Sequence, residues 1–297
     1  MLPALPLRAL GATSLRVPAL GLGAAHVGRH DVPDDDAARL LHEALDLGVT
    51  LLDTAPSYGL SEERIGRHLA HRRDEFVLCT KGGYGVSGVA DWTGPVIVAG
   101  VDQALGRLRT DRIDVFLLHS CPRDVLVRGE VVDALEAVVR AGKVRVAGYS
   151  GDNDALDHAV ASGRFGVVEA SVNLCDQRAL RGAVPSAAAK GVGVVAKRPL
   201  ANAPWRFAAR PVGDYAETYW SRLRAMDLDP TPLAWDALAL RFAAYAPGVS
   251  ACIVGTSRVE HLRRAAACVA EGPLPDDLRE RIAAAFARHG ADWPGEV

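Results

Sequence analysis

The chain has 297 residues, of which 49% are hydrophobic and 24% charged, and its formal net charge is −2 at pH 7. That balance supplies material for a large core and excludes the strongly basic surface of a nucleic-acid binder or of a protein that grips anionic lipid. No window approaches the roughly 18 uninterrupted apolar residues of a membrane span. The N-terminal MLPALPLRAL carries two prolines and no continuous apolar stretch, which disfavours a secretory signal. The five cysteines are an odd number with no Cys-x-x-Cys pair and read as reduced thiols, so a cytoplasmic protein is expected.

In chain order, Ala4–Val17 reads as a hairpin turning at Gly11–Ala12. Short apolar runs follow at Ala19–Leu22, Thr50–Asp53, Phe76–Thr80, Val115–Leu118, Val146–Tyr149, Val167–Ser171, Val194–Ala196 and Cys252–Val254. Helix-period segments lie between them, at Asp36–Leu47, from Ser61, at Val131–Ala141, Trp235–Tyr245 and Val259–Ala270. A last helix runs from Pro275 through PDDLRERIAAAFARHG, with Asp276 or Asp277 near its N-terminal cap. Ala201–Pro230, with Trp205, Tyr215, Tyr219 and Trp220, is long for a loop and suits either a lid or a helix packed outside. Alternating strands and helices imply a parallel sheet. Eight strands close into a (β/α)8 TIM barrel, with an N-terminal hairpin and an extra C-terminal helix, over residues 1–297 as a single domain.

In such a barrel the chemistry sits at the C-terminal ends of the strands. Asp53 ends one run, and Tyr58 follows five residues later. Lys81 and His119 end two more. A strand-end Asp is often only a turn residue, and a lone loop Tyr a packing one. Four ionisable side chains at strand ends point instead to one site. Gly255–Thr256–Ser257–Arg258 joins the last strand to a helix, where backbone N–H groups can hold a phosphate, and Arg258, His261 and Arg264 add positive charge. Arg258 and Arg264 could equally be solvated helix residues. No Gly-x-Gly-x-x-Gly links a strand to a helix, so a Rossmann site is excluded. His68 and His71, His119-x-Cys121 and Asp34–Asp36 lack the ligand set of a metal centre, and no metal is expected.

The segments LGLGAA, LDTAPSYG..EERIG, VLCTKGG, IDVFLLH, GKVRVAGYS and IVGTSRVEHL resemble, in order, the aldo-keto reductase superfamily. The resemblance implies a nicotinamide-dependent carbonyl reductase with Asp53, Tyr58, Lys81 and His119 as its catalytic tetrad. Tyr58 is then the acid, its pKa lowered by Lys81, which Asp53 holds in place. The basic residues near Gly255 favour NADPH, with NADH less expected. Ser150 matches a residue that bonds the nicotinamide carboxamide. Three positions depart from the pattern: Gly151 replaces an Asn, Glu169 a Gln, and Lys197 a ring that stacks on the nicotinamide. Glu169 and Lys197 lie on consecutive strands and are expected to pair as ions. The substrate, a small carbonyl compound, is expected to meet His26, Tyr84, Trp92, Cys121 and Trp205. A regulatory NADPH-binding barrel with little turnover and a redox-neutral epimerase or dehydratase are the alternatives, and the oligomeric state is left open.

Overall fold

The computed structural model describes residues 4–296, so Met1–Pro3 of the N-terminal stretch lie outside the described residues. The hairpin is formed by β1 (Leu7–Ala9) and β2 (Arg16–Pro18), paired antiparallel. Gly11 turns between them with φ +62°, and a Cβ there would lie 2.3 Å from the backbone nitrogen of Gly193. Only glycine permits both that dihedral and that approach. Leu10, Leu15 and Val17 are buried in one cluster with the side chains inside the barrel, so the hairpin plugs its floor.

Eight parallel strands close the barrel: β3 (Leu20–Gly23), β4 (Leu51–Asp53), β5 (Val77–Gly82), β6 (Ile113–His119), β7 (Val144–Ser150), β8 (Val167–Ser171), β9 (Gly193–Lys197) and β10 (Ala251–Gly255). Each expected run holds a strand, most extended by a residue or two. Side chains alternate across a strand, so every second residue faces inward. Leu51, Cys79, Leu117, Val167 and Val195 form an apolar layer. Two residues further along, the same inward sequence gives Asp53, Lys81, His119, Glu169 and Lys197. The upper interior is therefore polar because these five strands change from apolar to ionisable residues near their C-terminal ends.

Helices cover the outside. α1 (Asp34–Asp46) buries Ala37, Leu40, Leu41, Ala44 and Leu45, the one-sided stripe its spacing requires. α2 (Ser61–Leu69), α3 (Gly94–Leu108), α4 (Arg123–Arg128), α5 (Glu130–Arg140), α6 (Asn153–Ser162) and α7 (Ala183–Ala189) follow. The stretch expected to be lid or helix is both. Residues 202–215 form a loop with a 3-10 turn at Pro204–Arg206, and α8 (Glu217–Met226) buries Tyr219, Leu223 and Met226. α9 (Trp235–Ala244), α10 (Val259–Ala270) and α11 (Asp276–His289) complete the chain, α11 packing against α8. Asp276 and Asp277 lie in the first turn of α11 without a side-chain cap bond, as do Asp34–Asp36 in α1. They act there through the helix dipole.

Candidate active site

Tyr58 is placed by two interlocked loops. Thr54 Oγ donates to Ser61 Oγ (2.7 Å), which donates to the carbonyl of Ala24 (3.0 Å). The buried Arg64 guanidinium binds the carbonyls of Val27, Arg29 and Val32 and the carboxylate of Asp34. Gly28 lies directly beneath Tyr58, where a Cβ would come within 1.6 Å of the Tyr58 carbonyl oxygen. The Tyr58 loop can seat this deeply only because position 28 has no side chain.

Beneath the phenol lies a buried charge cluster. Lys81 Nζ is 2.5 Å from both carboxylate oxygens of Asp53 and 3.2 Å from the Thr54 carbonyl, which uses its three protons. Glu169 Oε2 is 3.6 Å from the same nitrogen and has no hydrogen-bond partner among the described residues, while its Oε1 accepts from Ser150 Oγ at 2.9 Å. Asp53, Cys79 and Glu169 offer three atoms within 4.8 Å of one another, but the Lys81 ammonium supplies the positive charge there. Burial, together with the Glu169 carboxylate and against the pull of Lys81, pushes the Asp53 carboxyl up to about 7. Burial works against the Lys81 ammonium, but Asp53 and Glu169 outweigh it and hold Lys81 well above the usual lysine range.

This cluster corrects one expectation. The Lys81 nitrogen is 5.3 Å from the Tyr58 ring centre and lowers the phenol as expected, but burial outweighs it. Burial pushes Tyr58 up to about 12; Lys81 lowers it, and Asp53 and Glu169 push the other way. Burial is the largest of these effects, and the ammonium offsets only part of it.

A second expectation, the Glu169–Lys197 ion pair, also fails. The register sets Glu169 opposite Val195 and Lys197 opposite Ser171, one layer higher. Lys197 Nζ instead meets Asp152 Oδ2 at 3.0 Å. Asp152 also accepts from the Ser171 backbone N–H (2.8 Å) and hydroxyl (3.1 Å). Gly151 has its own steric cause, since a Cβ there would lie 2.3 Å from the Tyr149 hydroxyl. The Ser150 hydroxyl expected to face a carboxamide is donated to Glu169.

His119 ends β6 with its ring edge-on to Tyr58, the centres 6.0 Å apart. Burial, then the Lys81 charge, lowers it to about 4, so the imidazole is neutral at physiological pH. Asp53, Tyr58, His119, Ser150, Glu169, Lys197 and Gly255 line one cavity of about 700 Å³, and His26 stands at its edge over Gly255. Tyr84 bonds His119, and Trp92 packs on Tyr84 and Gly83. Cys121 and Trp205 lie elsewhere. Cys121 is 1% exposed in the outer core, and Trp205 stacks on Trp235 with ring centres 5.6 Å apart. The cavity wall includes Arg206, Asp214 and Tyr215 of the stretch expected to supply a lid, together with Arg198 just after β9, which carried no sequence signal. Asp152, two residues past Ser150, was equally silent.

At the far end, Arg258 caps α10, and its N–H donates to Thr256 Oγ at 3.0 Å. Arg258 and His261 are exposed and make no ion pair among the described residues, whereas Arg264 is 2.7 Å from Asp236. Gly255, Ser257 and Arg258 therefore present backbone and side-chain donors to solvent beside a helix N-terminus.

Comparison with known proteins agrees with this geometry. The chain is 28% identical to L-galactose dehydrogenase of Arabidopsis thaliana, the alignment covering 98% of both chains. It is 32% identical to D-threo-aldose 1-dehydrogenase of a Pseudomonas species, over 86% of this chain and 90% of that one. Among solved structures it resembles the holo form of aldo-keto reductase AKR11C1 from Bacillus halodurans, with a TM-score of 0.82, 27% identity and coverage of 95% and 96%. The aldo/keto reductase family model matches residues 19–286. A closed parallel barrel with this polar layer, and a family match over nine-tenths of its length, make the chain an oxidoreductase of the aldo/keto reductase family.

Proposed function

We propose that the protein reduces aldehydes or ketones with NADPH, and oxidises the alcohols in reverse, with Tyr58 as general acid. The observation that carries this is the convergence of Asp53, Tyr58, Lys81 and His119 on one cavity at the strand ends. The residues present fit a nicotinamide nucleotide. Glu169 Oε2, buried without a donor, is an acceptor for a carboxamide N–H, and the Gly255–Arg258 turn offers donors to a phosphate. When bound, the cofactor supplies the hydride.

The chain's own residues supply the proton and the orientation. Tyr58 holds its proton throughout the neutral range and releases it only to a stronger base, the alkoxide-like oxygen that forms on a reduced carbonyl. Neutral His119 gives that oxygen a second hydrogen bond, from a group that carries no competing charge. Lys81 and Asp53 keep the floor of the site fixed. Arg258 and His261, free of acidic partners, favour the extra phosphate of NADPH. The relatives named for sugars favour polyhydroxylated aldehydes, which suits the polar side chains Arg29, His30, Asp31 and Ser57 in the cleft beside Tyr58.

Steady-state loss of NADPH with a panel of aldoses and simple aldehydes tests the proposal. Tyr58→Phe is expected to lower kcat by 10²–10⁴-fold, the usual worth of a positioned proton donor, while NADPH affinity changes less than about threefold. Activity within tenfold of wild type would overturn Tyr58 as the acid.

A further inference from the structure

His119 is neutral, and a neutral imidazole carries its single proton on one nitrogen or the other. Which nitrogen holds it decides whether the ring donates or accepts in the cavity. The fold contains a group that chooses. Tyr84 Oη lies 3.0 Å from His119 Nδ1, and the two rings stack at 27° with centres 5.7 Å apart.

Tyr84 is itself held. Its ring packs on Trp92, 5.6 Å between centres. Trp92 has φ +57°, donates its N–H to the Gly83 carbonyl at 2.8 Å, and lies so close over Gly83 that a Cβ there would come within 2.2 Å of the indole. Asp91 closes the turn by accepting the Gly85 N–H at 2.9 Å. A left-handed tryptophan seated on a glycine is strained backbone that the surroundings must enforce. Its visible result is to press the phenol against one imidazole nitrogen.

We propose that Tyr84 is a positioning residue that fixes His119 as the Nε2–H tautomer. The phenol is a good donor and a poor acceptor, whereas the unprotonated imidazole nitrogen is a strong acceptor. Tyr84 has no other hydrogen-bond partner among the described residues, so its O–H goes to Nδ1. Nε2 is then protonated and is the donor His119 offers to the cavity it lines. Tyr84 touches neither the cofactor nor the reacting carbonyl in this role. It acts through the histidine, in the way outer-sphere hydrogen bonds set the tautomer of metal-bound imidazoles.

The test is Tyr84→Phe, which keeps the ring on Trp92 and removes only the hydroxyl. In protein labelled with 15N-histidine, at pH 7 and without ligand, His119 should give the Nε2–H pattern, assigned by its loss in His119→Gln. In Tyr84→Phe that pattern should move toward a mixture of tautomers. A His119 already in the Nδ1–H form, or one unchanged by loss of the hydroxyl, would overturn the proposal. The kinetic consequence rests on the carbonyl-reduction reading: kcat/KM for an aldehyde should fall about 5- to 30-fold, the worth of a hydrogen bond of this kind. A tautomer shift in a protein with no carbonyl activity in either form would leave the positioning role standing and sink the reaction assigned to the site.

Discussion

Replacing Lys81 by methionine should make the stability of the protein fall more steeply with rising pH than that of the parent. Lys81 is 1% exposed and, among the described residues, is the only cation bonded to Asp53, itself 2% exposed, with Glu169 at 3% beside it. Methionine fills the space but leaves two buried carboxyls without a counter-charge. In the parent, Asp53 already sits near 7 against an ordinary value of 3.8. A folded-state pKa raised in this way gives stability that is complete below the unfolded value and is lost as pH rises through the folded one. Asp53 therefore makes both proteins pH-dependent, but Glu169, which burial alone would raise, is held below the ordinary value in the parent chiefly by Lys81, and without the ammonium it rises and retains an additional proton across the whole interval from pH 5 to 8. One proton held by the folded but not the unfolded chain costs about 1.4 kcal/mol per pH unit, hence about 4 kcal/mol over three units. The figure agrees with the roughly 3–5 kcal/mol lost when one partner of a buried ion pair is removed. At about 2 °C per kcal/mol for a chain of this size, the thermal midpoint should fall by about 8 °C at pH 8. At pH 5 both carboxyls can be protonated, and the loss should be no more than about 2 °C. Circular dichroism melts of both proteins at the two pH values are sufficient. An equal loss at both would show that the ammonium is not what keeps these carboxyls charged.

Gly28→Ala should leave the thermal midpoint within a few degrees but cut kcat/KM by about 10²-fold, because a methyl group 1.6 Å from the Tyr58 carbonyl must displace the loop by ~1 Å or more; near-normal kinetics would refute the seating role. NADPH should be preferred over NADH by about 10-fold or more, and Arg258→Ala should erase most of that preference, since a charge-assisted phosphate contact is worth about 1.5–3 kcal/mol; equal kcat/KM in the parent would count against the assignment. Lys197→Met and Asp152→Asn should be coupled by about 0.5–3 kcal/mol in a double-mutant cycle on stability, whereas strict additivity would deny the ion pair at 3.0 Å.

The barrel and its four strand-end residues were legible because each rests on a local pattern, an apolar run that stops at an ionisable side chain. Two-residue alternation then turns Asp53, Lys81 and His119 toward the barrel interior. The pairing of Glu169 with Lys197 was misread because neighbouring strands fix proximity but not height. The register raises Lys197 by two residues, to where Asp152 arrives from the loop after β7. The acidity of Tyr58 was misread for a related reason. Its pKa is set first by burial, which depends on how the loops close over it, and then by the balance of Lys81 against Asp53 and Glu169, the latter 88 residues from Lys81 in sequence. Trp205 was expected in the cavity on the strength of its loop, but α9 offered Trp235 as a flat partner outside it. The bond from Tyr84 to His119 likewise spans 35 residues and left no motif.

The hairpin floor also controls proton traffic. Leu10, Leu15 and Val17 seal the lower end, and the Arg8 guanidinium ties that hairpin to the carbonyls of Ala244, Val249 and Ser250. Among the described residues the lower end is apolar, so the cluster of Asp53, Lys81 and Glu169 meets water from the cavity above. A ligand that fills that cavity would slow proton exchange between the cluster and the medium. The pH of the medium therefore acts on the free protein. The titration of the cluster should then appear in kcat/KM, which reports the free protein, more than in kcat.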